Sequence, residues 1–372
     1  MGQEITPGTD RLANGRQQPL AVAIIADDLS GALDSTAPFA GRGLFCAVAV
    51  TAGDIGEALA TGASVVAVNT ASRHLPAPEA AGIVTAAARC LQAAAPEVVF
   101  KKVDSRLKGN VGAETRAMMA ATGRTRAVAV PAVPELGRRV ENGCVVGTGV
   151  AEPLSVLACF DGLAVEVPDI AHAGELAAIA RLGRAAARET LLVGARSLAA
   201  ALAYPMGDAS GMAFACEGPV AVVVGSRDPI TLMQVERLRR RTPHLQVIEA
   251  PDGHVGDTAP TGDLVLFQCV PGTGTASEEA VAERFGAGVA FRLTQHGART
   301  VLATGGDTAM GLMRALGVKV VHPRGEVLPG MPWSRIAVPG HGDMLLVTKS
   351  GGFGAADALA SILRPEAADA RH

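Results

Sequence analysis

Short, mainly apolar runs alternate with amphipathic stretches along most of this chain, and that alternation restricts its fold more than any other feature. Residues 20–26, 46–50, 64–68, 98–103 and 127–130 read as strands, with helices between them at residues 77–94 and 112–121. A strand buried on both faces shows no polar alternation, and two parallel neighbours are joined by a crossover, usually a helix. The pattern therefore predicts βαβ units and mainly parallel sheets. Further strands are predicted at 163–167 and 190–193. Periodicity fails between residues 203 and 219, where Tyr204-Pro205, Met206-Gly207-Asp208 and Ser210-Gly211 mark turns. A second α/β pattern follows: a strand at Val220–Val224, a helix at Pro229–Arg241 capped by Asp228, strands at 264–267 and 300–303, a glycine-opened helix at 305–316, a strand at 343–349 and a closing helix at 355–363. Glycine, proline and charge cluster over 323–342, which reads as a functional loop region. The expected class is α/β, with two α/β domains whose mainly parallel sheets face an interdomain cleft. A loose tail is expected over 1–18, one domain over 19–203, a linker over 204–218 and the second domain over 219–372.

Composition removes several functions. Of 372 residues, 33 are Lys or Arg and 36 Asp or Glu, and 3% are aromatic, so neither a basic footprint nor stacking platforms for nucleic acid are present. The six cysteines form no C-x-x-C pair, and most sit in apolar runs; they read as buried small hydrophobes in a reducing compartment. No run of about 18 apolar residues exists to span a membrane, and the first residues lack the apolar core of a signal peptide. A cytoplasmic protein is expected.

The first strand ends in Asp27 and Asp28, and a helix starts at once. Ligands of parallel α/β sheets bind at the carboxyl ends of the strands, and two adjacent acids there are costly unless they hold a metal, a proton or a hydroxyl. Asp28 could also serve simply as a helix cap. Ser72-Arg73-His74 follows the third strand, and Lys101 to Asn110 follows the fourth. Parallel strands would bring all three segments to one edge, where the mixture of carboxylates, hydroxyls and cations suits a small polar anion. In the second half, Gly225-Ser226-Arg227-Asp228, Thr304-Gly305-Gly306-Asp307-Thr308 and Lys349-Ser350-Gly351-Gly352-Phe353-Gly354 each turn a strand toward a helix. Glycines and free N–H groups at such turns suit phosphate, and three turns in one half point to a nucleotide. Neither a Walker A loop nor a dinucleotide fingerprint occurs.

Six segments in order resemble the four-carbon acid sugar kinases. Ala26-Asp27-Asp28-Leu29-Ser30-Gly31-Ala32 is similar to that family's A-D-D-L-T-G-A, and Lys101 to Asn110 to its K-K-x-D-S-T-L-R-G-N. Val130 to Pro134 with Gly137-Arg138 resembles V-P-A-F-P…G-R, and Gly325-Glu326 with Pro329-Gly330 resembles G-E…P-G. Gly305 to Ala309 and Lys349 to Gly354 resemble the two C-terminal signatures. Arg106 stands at the family's Thr and Lys108 at its Arg, and the F-x-x-D-P segment is absent; residues 157–162 read Leu-Ala-Cys-Phe-Asp-Gly.

The resemblance implies an ATP-dependent kinase acting on the terminal hydroxyl of threonate, erythronate or an oxo-tetronate. It puts the acid in the first domain and ATP with Mg²⁺ in the second. Asp27, Asp28, Arg73, Lys102, Asp104, Ser105 and Lys108 are the expected acid-binding residues, with Arg73 and Lys102 on the carboxylate. Ser226, Gly305, Gly306, Asp307, Thr308, Lys349, Ser350, Gly351 and Gly352 are expected at the nucleotide. Asp28, Asp104 and Asp307 are rival bases, and no metal ligand is assigned. Sugar acid and ATP are the expected partners, with a homodimer left open. A ribokinase-like kinase of another polyol and a non-catalytic two-lobed binding protein are the alternatives.

Overall fold

The computed structural model describes residues 20–208 and 211–363, and the tail expected over 1–18 lies outside them. Its strands are β1 (Val22–Ala26), β2 (Cys46–Ala49), β3 (Val65–Asn69), β4 (Val98–Lys102), β5 (Arg126–Val130), β6 (Arg138–Glu141), β7 (Cys144–Gly147), β8 (Leu154–Ser155), β9 (Thr190–Gly194), β10 (Val220–Val224), β11 (Gln246–Pro251), β12 (Leu264–Val270), β13 (Thr300–Thr304), β14 (Val320–Leu328), β15 (Met331–Val338) and β16 (Gly342–Lys349). Thirteen of them form one sheet in the order β11-β12-β10-β13-β16-β15-β14-β2-β3-β1-β4-β9-β5, and β6-β7-β8 form a small antiparallel sheet.

The fold is α/β as expected, and the mainly apolar runs lie where their composition demands. Every residue of β1, β3 and β10 is buried. Parallel pairing runs through the first half, with Val22 opposite Val65 and Val98, and through the second, with Val220 opposite Leu264 and Thr300. The halves join where β14 pairs antiparallel with β2, Val320 opposite Ala49 and Val321 opposite Val48. Helix Leu29–Ala40 packs on β1, β2 and β3 and also on β14, β15 and β16, so it serves both halves.

Three expectations change. Residues 323–342 are mostly strand rather than loop: β14 and β15 pair antiparallel with register shifts at Pro323/Gly325 and Glu326/Leu328, which give the prolines and glycine a place inside a sheet. The strand expected at 163–167 reduces to one bridge between Glu166 and Val128. Only Cys46 and Cys269 are buried, Cys90 is exposed, and the other cysteines lie between. Helix Glu278–His296, which the apolar pattern did not announce, packs on helix Gly306–Ala315 through glycine: a Cβ on Gly286 would lie 2.4 Å from the Gly311 carbonyl carbon.

Candidate active site

The carboxyl ends of β1, β4, β13 and β16 and the turn after β10 converge on one cleft of about 330 Å³, whose walls include Asp28, Lys102, Asp104 and Arg138 from the first half and Gly306, Ser350, Gly351 and Gly352 from the second. Asp28 caps helix Leu29–Ala40, accepting from the Gly31 N–H at 2.7 Å, while Oδ2 meets Arg73 Nη1 at 2.7 Å. Its role as a cap is therefore real, and it does not exhaust the carboxylate. Asp27 takes the rest of the Arg73 fork, Nε and Nη2 each at 2.9 Å. All three guanidinium nitrogens of Arg73 thus end on the two aspartates, a bidentate pair plus a single bond.

The aspartates are adjacent in sequence but electrically unlike. Burial raises the Asp27 carboxyl, and Arg73 with Lys101 and Lys102 outweighs it, so Asp27 is held below its ordinary range. At Asp28 burial wins over Arg73, helped by the neighbouring Asp27 charge, and the carboxyl is pushed up. The surrounding cations thus favour the anion at Asp27, while burial favours the protonated form at Asp28.

The lysines of β4 divide the work as well. Lys101 points into the core, where Nζ meets Glu114 Oε2 at 2.7 Å and the Lys102 carbonyl at 2.8 Å. Lys102 faces the cleft. Its partner within 4 Å is Asp34, at 3.9 Å, beyond hydrogen-bond length. Asp34, one turn and a half along the helix from Asp28, was not anticipated. It lines the cleft, and burial lifts its carboxyl to about 6 against the pull of Lys102 and Arg196. Asp104 accepts from the Arg106 N–H at 2.8 Å, and Ser105 accepts from Arg138 at 2.6 Å. Lys108 and His74 are exposed; Lys108 lines this cleft, and His74 a neighbouring recess.

Across the cleft, Gly305 has φ +97° and ψ 136°, a conformation that L side chains rarely adopt, and it leads into helix Gly306–Ala315 with no side-chain cap. The first N–H groups of that helix are therefore free for an anion. A Cβ on Gly306 would lie 3.4 Å from Asp28 Oδ2 and 3.3 Å from Ser30 Oγ, so the helix start abuts the aspartate. A Cβ on Gly351 would lie 2.4 Å from Ser226 Oγ, which fixes the close approach of two of the glycine turns. Lys349 points away from the cleft. Its buried Nζ donates to Thr231 Oγ1, Ser350 O and Gly351 O at 3.0 Å each and to Phe353 O at 3.3 Å, so it ties the 350–353 loop from behind. Ser226, Gly305, Asp307 and Thr308 line a second recess with Asp252 and Phe285.

Two family models match the chain, a sugar-binding N-terminal domain over residues 22–157 and a nucleotide-binding C-terminal domain over residues 270–359. A D-threonate kinase of Cupriavidus necator is 32% identical over an alignment covering 90% of this chain and 95% of that protein. Another D-threonate kinase, from Bordetella bronchiseptica, is 30% identical over 91% of this chain and 95% of its own length. The chain belongs to the four-carbon acid sugar kinase family. A family member named as a 3-oxo-tetronate kinase, from Methylobacterium radiotolerans, is 28% identical over 91% of this chain and 97% of its own. A crystal structure from Salmonella typhimurium LT2 superposes with a TM-score of 0.73 at 20% identity, over 93% of this chain and 99% of that one, which shows a common fold. These family relatives are kinases, and the chain is a phosphotransferase. Among the described residues no helix is long and apolar enough to cross a membrane.

As a sugar-acid kinase the chain carries one cleft feature that motif reading missed besides Asp34. Arg196, the first residue of helix Arg196–Ala203, is buried at the cleft and bonds both Glu135 and, at 2.7 Å, Glu326. It links the two halves of the molecule. Its signal in the sequence was faint, since neither glutamate lies near it in the chain.

Proposed function

We propose that the protein transfers the terminal phosphoryl group of ATP to the terminal hydroxyl of a four-carbon sugar acid such as threonate, erythronate or 3-oxo-tetronate. The observation that carries this reading is the contact of Asp28 with the start of helix Gly306–Ala315: a proton acceptor and an anion-binding helix end lie within one hydroxyl group of each other.

Phosphoryl transfer asks mainly for positioning and charge neutralisation. In this reading the free N–H groups of Gly306 and the 350–352 loop hold the phosphates, and Ser226 and Thr308 close the turn around them. The recess beside Asp252 and Phe285 receives the nucleoside. Asp28 orients the acceptor hydroxyl and takes its proton. Arg73, spent on both aspartates, fixes the orientation of Asp28 instead of gripping the substrate. Lys102 faces the developing charge. Asp104 hydrogen-bonds an inner hydroxyl. Asp307 is exposed and opens toward the nucleoside recess and its neighbour rather than this cleft, which makes it a weak base and a reasonable holder of a metal.

Among the described residues no group of three or more His, Cys, Asp or Glu side chains is set to hold a metal. Mg²⁺ carried on a triphosphate needs only one or two protein carboxylates, so Asp307 suffices. When bound, the ion neutralises phosphate charge. A kinase using ATP in this way fits a cytoplasmic protein.

The test is an ADP-release assay with ATP and a panel of four-carbon acids, run on the wild type and on Asp28→Asn, Asp104→Asn and Asp307→Asn. Asp28→Asn should lower kcat by about 10² or more with acid affinity largely kept, Asp104→Asn should mainly raise KM for the acid, and Asp307→Asn should raise the Mg²⁺ concentration needed for activity. Full activity of Asp28→Asn would remove it as the base, and no turnover of any acid would remove the kinase reading.

A further inference from the structure

We propose that Arg138 and Arg106, with the Ser105 hydroxyl between them, form the receptor for the carboxylate of the acceptor acid. The inference rests on the kinase reading for what enters the cleft, and on the following geometry for where its charged end lies.

Six cations line the cleft; three of them already face carboxylates, and of the other three Arg106 and Lys108 are exposed to solvent. Arg73 is closed by Asp27 and Asp28, and Arg196 by Glu135 and Glu326. Lys102 stands opposite Asp34. Arg138 is different. It is 9% exposed, yet among the described residues no carboxylate lies within ion-pair distance of it. Its Nε donates to the Thr148 carbonyl at 2.8 Å and its Nη1 to Ser105 Oγ at 2.6 Å, both neutral acceptors. No hydrogen bond involves Nη2 among the described residues, and this nitrogen lies 3.3 Å from where a Cβ on Gly149 would sit, at the wall of the cleft. A guanidinium removed from water without a counter-charge is costly, and proteins keep one where an anion arrives.

The surroundings strengthen the point. Arg106, also on the cleft wall, has no carboxylate within 4 Å among the described residues and adds a second positive charge beside the first. Burial and this neighbour push the Arg138 guanidinium below its ordinary value, and Asp104 offsets only part of that. An incoming carboxylate would relieve both effects. Ser105 Oγ, having accepted from Arg138, keeps its own proton to donate. The set offers a carboxylate the free Nη2, a second guanidinium and a hydroxyl, a donor-only arrangement matched to two oxygens. The two strands of the hairpin that carries Arg138 pack closely at its base: a Cβ on Gly147 would lie 2.0 Å from the Gly137 carbonyl oxygen.

The acid would then span the cleft, its carboxylate at Arg138 and its terminal hydroxyl at Asp28. Selectivity for an acid over the matching polyol would reside in Arg138 and Arg106 rather than in Arg73.

The experiment measures threonate binding by calorimetry, and turnover of threonate and of threitol with ATP, in the wild type, Arg138→Gln and Arg106→Gln. Arg106 is exposed, so its replacement leaves the fold alone. Each variant should bind threonate about 10- to 100-fold more weakly and lose preference for threonate over threitol by a similar factor, with KM for ATP unmoved. Unchanged threonate affinity in both variants, or equal losses for threonate and threitol, would overturn the assignment. If the wild type binds threonate without phosphorylating it and the variants lose that binding, the kinase reading falls and the receptor stands. If the wild type binds neither threonate nor any other four-carbon acid, the receptor falls too.

Discussion

Removing the charge of Glu114 tests whether the buried network behind the cleft is what holds its cations in place. Glu114 and Lys101 are each 1% exposed. One carboxylate oxygen meets Lys101 Nζ at 2.7 Å, and the other accepts from Ser72 Oγ at 2.5 Å. Ser72 in turn contacts Thr70 Oγ1 at 2.7 Å, and Thr70 donates to the Ala26 carbonyl at 2.9 Å. One acid therefore ties the ends of β1 and β4 to the segment that carries Arg73. In Glu114→Gln the shape survives while Lys101 keeps a buried charge with no counter-charge, which costs about 3–5 kcal/mol. That is a large share of the roughly 5–15 kcal/mol that holds a typical domain. Lys101→Met with Glu114→Leu removes both charges, and the residual cost is that of Ser72 losing its acceptor, about 1–3 kcal/mol. Urea denaturation of Glu114→Leu, Lys101→Met and the double variant gives the cycle directly, with Glu114→Gln measured beside them. The double variant should be more stable than Glu114→Gln. A loss below about 1 kcal/mol in Glu114→Gln, or a double variant no better than the single, would show that the pair is not a charged unit and would refute the reasoning.

Three further outcomes are expected. Asp34 holds its proton more tightly folded than unfolded, about 6 against 3.8. Its share of stability is therefore fully present below about pH 3.8 and is lost as pH rises through 6, about 3 kcal/mol in all; the stability difference between wild type and Asp34→Asn should move by that order between pH 4 and 7, and a flat difference would count against it. Lys349→Met leaves the Ser350, Gly351 and Phe353 carbonyls without their shared donor, so KM for ATP should rise about 10-fold or more while KM for the acid holds. Gly305→Ala forces a β-carbon onto φ +97°; a strain of about 1–3 kcal/mol should appear as lower stability and weaker ATP binding, and wild-type values for both would refute the role given to that turn.

Much of this was legible in residue order, because β1 and β10 are buried on both faces and are uninterrupted apolar runs, and β3 and β4 are apolar up to their last one or two residues. The places where such runs stop at charge, Asp27-Asp28 and Lys101-Lys102, are where the cleft is. What residue order did not reveal is which charges cancel. Arg73 looked like a grip for substrate and is consumed by the aspartates; Lys349 sits in a phosphate-like motif and turns inward; Arg138 belongs to a family-like segment and is buried at the cleft with neutral partners alone among the described residues. Pairing of this kind is set by how the folded segments meet, 46 residues apart for Arg73 and Asp27, and side-chain chemistry alone is the same for a spent guanidinium and a free one.

The misread stretch at 323–342 explains how one cleft can exist at all. Strands β1, β3 and β4 run parallel, β14 is antiparallel to β2, and β16, β13 and β10 run in the sense opposite to the first half. In a flat sheet the carboxyl ends of β1 and β13 would lie at opposite edges, and Asp28 could never meet Gly306. Six strand steps separate them in the sheet order. A right-handed twist of about 20–25° per step turns the strands by roughly 120–150°, which restores most of the common direction. The bulges in β14 at Pro323/Gly325 and Glu326/Leu328 are features that raise local twist, and helix Leu29–Ala40 packs on strands from both halves. The prolines and glycines that looked like a loop thus sit at the join of a sheet whose opposed halves twist until a carboxylate from one lies against the helix end of the other.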